Sequence, residues 1–175
     1  MTISLHDAVI PSQIQILGSV RNLLTSAEKY CAEKGLDAKE IIKARLADDM
    51  LPFSYQVKSA AEHSLGAIEG VRKGSYSPDT GPFPDNFADL FAKIDNASEA
   101  LRAIDPAEID GFVGQDMKFV FGEHSLDFTA ECFLLTFSQP NFYFHATTAY
   151  DILRWKGVPL GKRDFMGALR TKAVA

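Results

Sequence analysis

The chain has 175 residues, 46% hydrophobic and 23% charged, and its 18 Lys and Arg against 23 Asp and Glu give a net charge of −5. This length fits one domain spanning 1–175, and the balance is that of a folded protein: too apolar for disorder and too acidic for a general nucleic-acid binder. Two cysteines are too few for a disulfide framework, so Cys31 and Cys132 read as buried, reduced thiols. No apolar run approaches the ~18 residues that a membrane span needs. Met1–Asp7 lacks the basic and apolar regions of a signal peptide, and the expected address is cytoplasmic with no membrane partner.

Helical periodicity begins at about residue 8. Ile16, Val20, Leu23, Ala27 and Tyr30 recur at steps of four and three as far as Gly35, a natural C-cap. Asp37 and Glu40 have capping-box spacing, which predicts a second helix through Ile41, Ile42 and Leu46 to a break at Pro52. The pattern resumes with Phe53, Val57, Ala60, Ser64, Ile68 and Val71 on one stripe. Residues 74–85, with three Pro and two Gly, read as loop.

Phe87, Leu90, Phe91, Ile94, Leu101 and Ile104 mark the next long helix. Asp105-Pro106-Ala107-Glu108 then predicts a short capped turn. At Met117, Phe119 and Phe121 the period drops to two, and a turn over Gly122–Ser125 followed by Leu126–Phe128 predicts a small hairpin. A short helix at about 129–137 and a final one capped by Ser138 or Gln139, ending at Gly157, complete the chain. Four long amphipathic segments joined by mostly short loops make a mostly α four-helix bundle, with the hairpin as decoration before the last helices.

Bundles place ligands and metals between facing helices, so inward polar residues are the candidates. On the last helix Phe142, Ala146, Ala149 and Leu153 form the apolar stripe, and His145 lies about 60° from its centre, beside Ile152. His63 lies about 80° from the stripe of its own helix, with Gln56 two turns earlier on the same flank. His63 and His145 are therefore candidates to share a divalent metal such as Zn or Ni. Gln56, Ala149 and Ile152 would line the pocket beside it. Glu62 is adjacent in sequence but points away by helical phase. Asp48 and Asp49 are neighbours about 100° apart on a helix and read as a helix end. His6 approaches the bundle end, and His124 falls in the hairpin turn. No phosphate loop, nucleophile elbow, HExxH or CxxC is present.

Charge is uneven. Residues 61–120 carry five basic and eleven acidic side chains, whereas residues 154–175 carry six basic ones (Arg154, Lys156, Lys162, Arg163, Arg170 and Lys172) against Asp164 alone. Phe144 and Tyr150 fall outside the last stripe, which predicts a subunit face and a homodimer.

Two stretches are distinctive: Pro140–Gly167, PNFYFHATTAYDILRWKGVPLGKRDFMG, and Ala44–Pro52, ARLADDMLP. With them the chain resembles an uncharacterised bacterial domain family related to the DinB/YfiT-like four-helix bundles. The resemblance implies a DinB-like bundle. It also brings in a wider group of metal-dependent, thiol-linked transferases and isomerases that use three histidines, one on the second bundle helix and two spaced by four on the last. His63 and His145 match two of these positions, and Ala149 stands at the third. Three functions are open: a homodimeric small-molecule-binding domain with a degenerate metal site, a metal-dependent transferase or isomerase using His63 and His145, and an interaction module with a basic tail.

Overall fold

The computed structural model describes residues 3–172. Ser4 opens helix α1 (Leu5–Lys34) by accepting the Asp7 N–H, and Gly35, at φ 64°, closes it. Helix α2 (Lys39–Ile42) is a single turn. The expected capping box does not form. Asp37 Oδ1 accepts the Lys39 N–H at 2.9 Å, Ala38 stands at the cap with no side-chain bond, and the helix stops ten residues before Pro52. The chain turns back instead, because the Phe53 N–H closes the 43–52 loop on the Ala44 carbonyl at 2.8 Å. Asp48 and Asp49 lie exposed in that loop.

One helical rod then runs over residues 53–73. It comprises α3 (Phe53–Ala61), a π turn (Glu62–Gly66) and α4 (Ala67–Lys73), and ends at Gly74, φ 70°. The loop expected at 74–85 holds a short strand, β1 (Ser75–Tyr76), which pairs in parallel with the hairpin. Helix α5 (Phe87–Arg102) is capped by Asn86, and α6 (Pro106–Asp110) by Asp105, whose carboxylate accepts the Ala107 N–H. Strands β2 (Asp116–Phe121) and β3 (His124–Thr129) form the antiparallel hairpin. His124 is the first residue of β3, opposite Phe121, rather than part of the turn.

A second rod covers residues 130–155: α7 (Ala130–Cys132), a π turn (Phe133–Ser138) and α8 (Gln139–Trp155). The two helices expected here are one. Ser138 has helical φ and ψ and caps nothing, because its hydroxyl is used across the bundle. Helix α9 (Lys162–Met166), which periodicity did not reveal, is tied to α1 by the Gln15 side chain, whose Nε2 donates to the Met166 carbonyl at 2.7 Å.

The long helices α1, the 53–73 rod, α5 and the 130–155 rod make the bundle, with α1 on α5 and α3 on α8 as its main packed pairs. Leu17, Val20, Leu24, Val57, Ala60, Ile68, Leu90, Ile94, Phe142, Ala146 and Leu153 fill the interior and exclude water. The hairpin is more than decoration. Met117 is buried, and Phe119 and Phe128 pack on Phe137 at 4.8 and 5.9 Å between ring centroids, sealing the bundle end next to His63. Cys31 is buried as expected. Cys132 is exposed, on the outer side of its rod. Among the described residues no helix is long and apolar enough to cross a membrane.

Candidate histidine-pair site

The two π turns face each other and build the site. A π turn inserts one residue into a helix and is often found where function requires it. In the first, His63 and Ser64 are buried; in the second, Phe133, Leu134 and Ser138 are. The His63 carbonyl accepts from the Ser138 hydroxyl at 2.9 Å and from Gln13 Nε2 at 3.4 Å. Three helices thus fix His63 through its backbone.

His63 and His145 come together. Their ring centroids are 5.7 Å apart, the planes are inclined by 13°, and each residue is only 8% exposed. Gln56, buried beside them, sets the chemistry of His145. Its Nε2 donates to the Leu51 carbonyl at 2.8 Å, which leaves Oε1 to face His145 Nδ1, also at 2.8 Å. An amide oxygen can only accept, so His145 Nδ1 carries the proton and its Nε2 keeps a lone pair. His63 Nδ1 is sealed from solvent and has no hydrogen-bond partner.

Burial pushes both imidazoles down from 6.5 to about 4, and for His63 the neighbouring His145 adds to the effect. Both are therefore neutral at physiological pH. Aromatic rings enclose them. Tyr76 and Phe137 lie 5.6 and 6.0 Å from His63, and Tyr55 and Phe144 lie 5.6 and 5.3 Å, edge-on, from His145. Burial also raises the Tyr76 phenol above its ordinary value, so it stays protonated.

The other expected residues fall differently. Ala149 and Ile152 belong to the packed core and have no exposed surface. Glu62 lines a separate cleft against α5 with Lys93 and Asn96, and burial raises its carboxyl. His6 donates its backbone N–H to Asp110 at 2.9 Å, and His124 is exposed. Tyr55, Tyr76, Ser138 and Gln13 were not anticipated as part of the site. Of these, Gln13 left a readable signal: it stands between Ile10 and Leu17 on the apolar stripe of α1.

A family model described as "Domain of unknown function (DUF1993)" matches residues 5–166. The chain belongs to the DUF1993 family. No match was found among curated proteins. A crystal structure of a DinB family member protein from Shewanella denitrificans is similar to this DUF1993 chain over 97% of its length and 96% of the other, with 25% identity and a TM-score of 0.79. The DUF1993 chain is thus a mostly α, DinB-like bundle with a small hairpin before its last helices.

The three-histidine metal centre implied by the resemblance does not fit these residues. Zinc sites use three or four protein ligands, and among the described residues no group of three His, Cys, Asp or Glu side chains is placed to hold an ion. Ala149, where the resemblance implies the third histidine, carries no donor atom. What this chain places here is a pair of neutral imidazoles among aromatic rings.

Proposed function

We propose that this DUF1993 domain binds a small molecule at the His63–His145 pair. The observation that carries the reading is one buried imidazole nitrogen without a partner beside a second imidazole whose Nε2 is left as an acceptor. His63 Nδ1 is buried and unpartnered, and the tautomer fixed by Gln56 leaves His145 Nε2 with its lone pair. A buried polar atom left unpaired costs about 1–3 kcal/mol, and native proteins keep few of them without cause. Two neutral imidazoles suit an uncharged ligand that presents a hydrogen-bond donor to His145 Nε2, and the surrounding rings suit a flat, apolar body. A fragment screen by ligand-observed NMR on the wild-type chain and on His63→Phe and His145→Phe tests this. Donor-bearing aromatic fragments should bind the wild type and be lost in both variants. Fragments that bind all three equally, or none that bind the wild type, refute it.

A second reading has one observation in its favour. Two imidazoles that share a metal at about 2.1 Å from each nitrogen place their ring centroids roughly 5.3–6.5 Å apart, and the 5.7 Å spacing lies in that range. A thiol-linked transferase or isomerase would then use a Zn or Ni ion held by His63 and His145. Calorimetric titration of tag-free protein with ZnCl2 and NiCl2 decides it. One ion per chain, lost in either variant, favours the metal; no heat from either salt excludes it.

The domain is proposed to act as a homodimer through α8. Phe144 and Trp155, 56% and 63% exposed, sit eleven residues apart and so share one face of that helix. Tyr150, the other candidate, is half-buried against the Phe165 ring of α9 at 5.9 Å. Light scattering on the wild type and on Phe144→Ser tests it: a dimer converted to a monomer is expected, and a monomeric wild type refutes it.

A further inference from the structure

We infer that residues 77–86, latched by Lys58, form a strap that controls access to the histidine pair; this rests on the binding reading above, but its test needs no ligand. The strap joins β1 to α5, and most of its residues are exposed. Lys58, on α3, holds it from below. Its side chain is only 1% exposed, and Nζ donates to the carbonyls of Asp79 and Gly81 at 3.0 and 3.1 Å and pairs with Asp79 Oδ2 at 2.8 Å. An ammonium has three N–H bonds, and all three are spent on the strap. The turn that receives them is preformed, because Asp79 Oδ1 accepts the Gly81 N–H at 2.7 Å.

Both ends of the strap bear on the site. At one end Tyr76 lies against His63. Near the other, Phe83 packs edge-on against Tyr55 at 5.2 Å, and Tyr55 packs edge-on against His145. The Phe83 ring also covers the Lys58 ammonium at 5.9 Å. The pair is closed, since each histidine is 8% exposed. The segment beside it is held by one ammonium and one aromatic contact rather than by a packed core. Segments of this kind open at far lower cost than the whole fold. The geometry makes Lys58 a positioning residue for the strap rather than a ligand-contacting one.

Diethyl pyrocarbonate, which reacts with neutral imidazole nitrogen, reads the opening directly when the labelled histidines are quantified by mass spectrometry. In the wild-type chain, exposed His124 should react quickly and His63 and His145 slowly. In Asp79→Asn, a change confined to the exposed strap, and in Lys58→Met, which keeps the apolar stem, labelling of His63 and His145 should rise by about tenfold. Alkylation of buried Cys31, read in parallel, should stay slow. Unchanged histidine labelling in Asp79→Asn overturns the inference, and so does a rise matched by Cys31, because that reports global unfolding. Faster labelling in the variants of a chain whose wild type binds no fragment would leave the strap standing and refute only the binding reading.

Discussion

Acidification to about pH 5 should destabilise this fold through two side chains. Burial holds the His63 and His145 imidazoles at about 4, against 6.5 for the ordinary group. Between those values the unfolded chain takes up protons that the native state refuses. Stability is therefore complete above 6.5 and falls as the pH drops toward 4. Each histidine contributes at most about 1.4 kcal/mol per pH unit in this window, so the pair approaches about 2.7. Integrated down to pH 5, the loss is about 2 kcal/mol per histidine, or roughly 4 in all, a large share of the 5–15 kcal/mol that a domain possesses. The carboxyl groups of Asp79 and Glu108 are held below their ordinary values by their Lys58 and Arg72 partners, so they act only at lower pH. Glu62, raised by burial, works in the opposite sense, because the native state takes its proton first. Urea denaturation at about pH 7, 6 and 5 measures the slope, and two-dimensional NMR of the imidazoles measures their titration. Stability that stays flat across this range, or ring signals that titrate near 6.5, would refute the claim that burial keeps the pair neutral.

Three further outcomes test the packing around the site. Gln56→Met removes the acceptor of His145 Nδ1 and the donor to Leu51 together; urea denaturation should show a loss of about 2 kcal/mol, and an unchanged midpoint would remove Gln56 from the site. Gly70→Ala puts a methyl 2.9 Å from Tyr76 Cβ and 3.3 Å from the Ser75 carbonyl, so it should cost about 1–3 kcal/mol despite the better helix propensity of alanine. Gly18→Ala, in α1, meets nothing within 4 Å and should instead raise stability by about 0.5–1 kcal/mol. A thermal melt in which Gly70→Ala is as stable as the wild type or more so would show that the β1 contact at Gly70 does not constrain the chain, and a destabilised Gly18→Ala would refute the reasoning for α1.

The four bundle helices were legible because each long segment needs one apolar stripe, and a stripe at 3.6-residue spacing survives in the sequence. What periodicity could not show were the π turns. An extra residue in a helix leaves the apolar pattern almost intact; the 130–155 rod read as two helices because Ser138-Gln139-Pro140 has the form of a helix start, with Ser138 or Gln139 as the cap. His63, which a regular helix places about 80° off the stripe, lies in the first π turn and is 8% exposed. His145 and Gln56 were placed correctly because α3 and α8 are regular where they sit. The second helix was overextended for a different reason. The Asp37 and Glu40 spacing is a local signal, and the Phe53 bond to the Ala44 carbonyl is a longer-range one that overrides it. Lys58 left no trace, since two of its three partners are backbone carbonyls, which every residue carries, and the third, the Asp79 carboxylate, lies in a loop that no periodicity links to α3.

The paired π turns also explain why the two histidines meet at all. The His63 carbonyl accepts from the Ser138 hydroxyl, and that hydroxyl ends the opposite π turn. The bond therefore runs from one irregular turn to the other and registers the two rods at the level of the rings. Gln13, from α1, reaches the same carbonyl and braces it from a third side. Replacing Ser138 by Ala should disturb the site more than its single neutral hydrogen bond suggests. That bond contributes about 1 kcal/mol to stability, which urea denaturation measures. The larger effect should appear in the rings, because the 2.8 Å contact from Gln56 to His145 tolerates little sliding of α8 past α3. Loss of the Nδ1–H tautomer signal of His145 in Ser138→Ala, with the helix content unchanged, is the expected result. A variant that loses about 1 kcal/mol while both imidazole spectra stay as in the wild type would show that the turns position the backbone but not the pair.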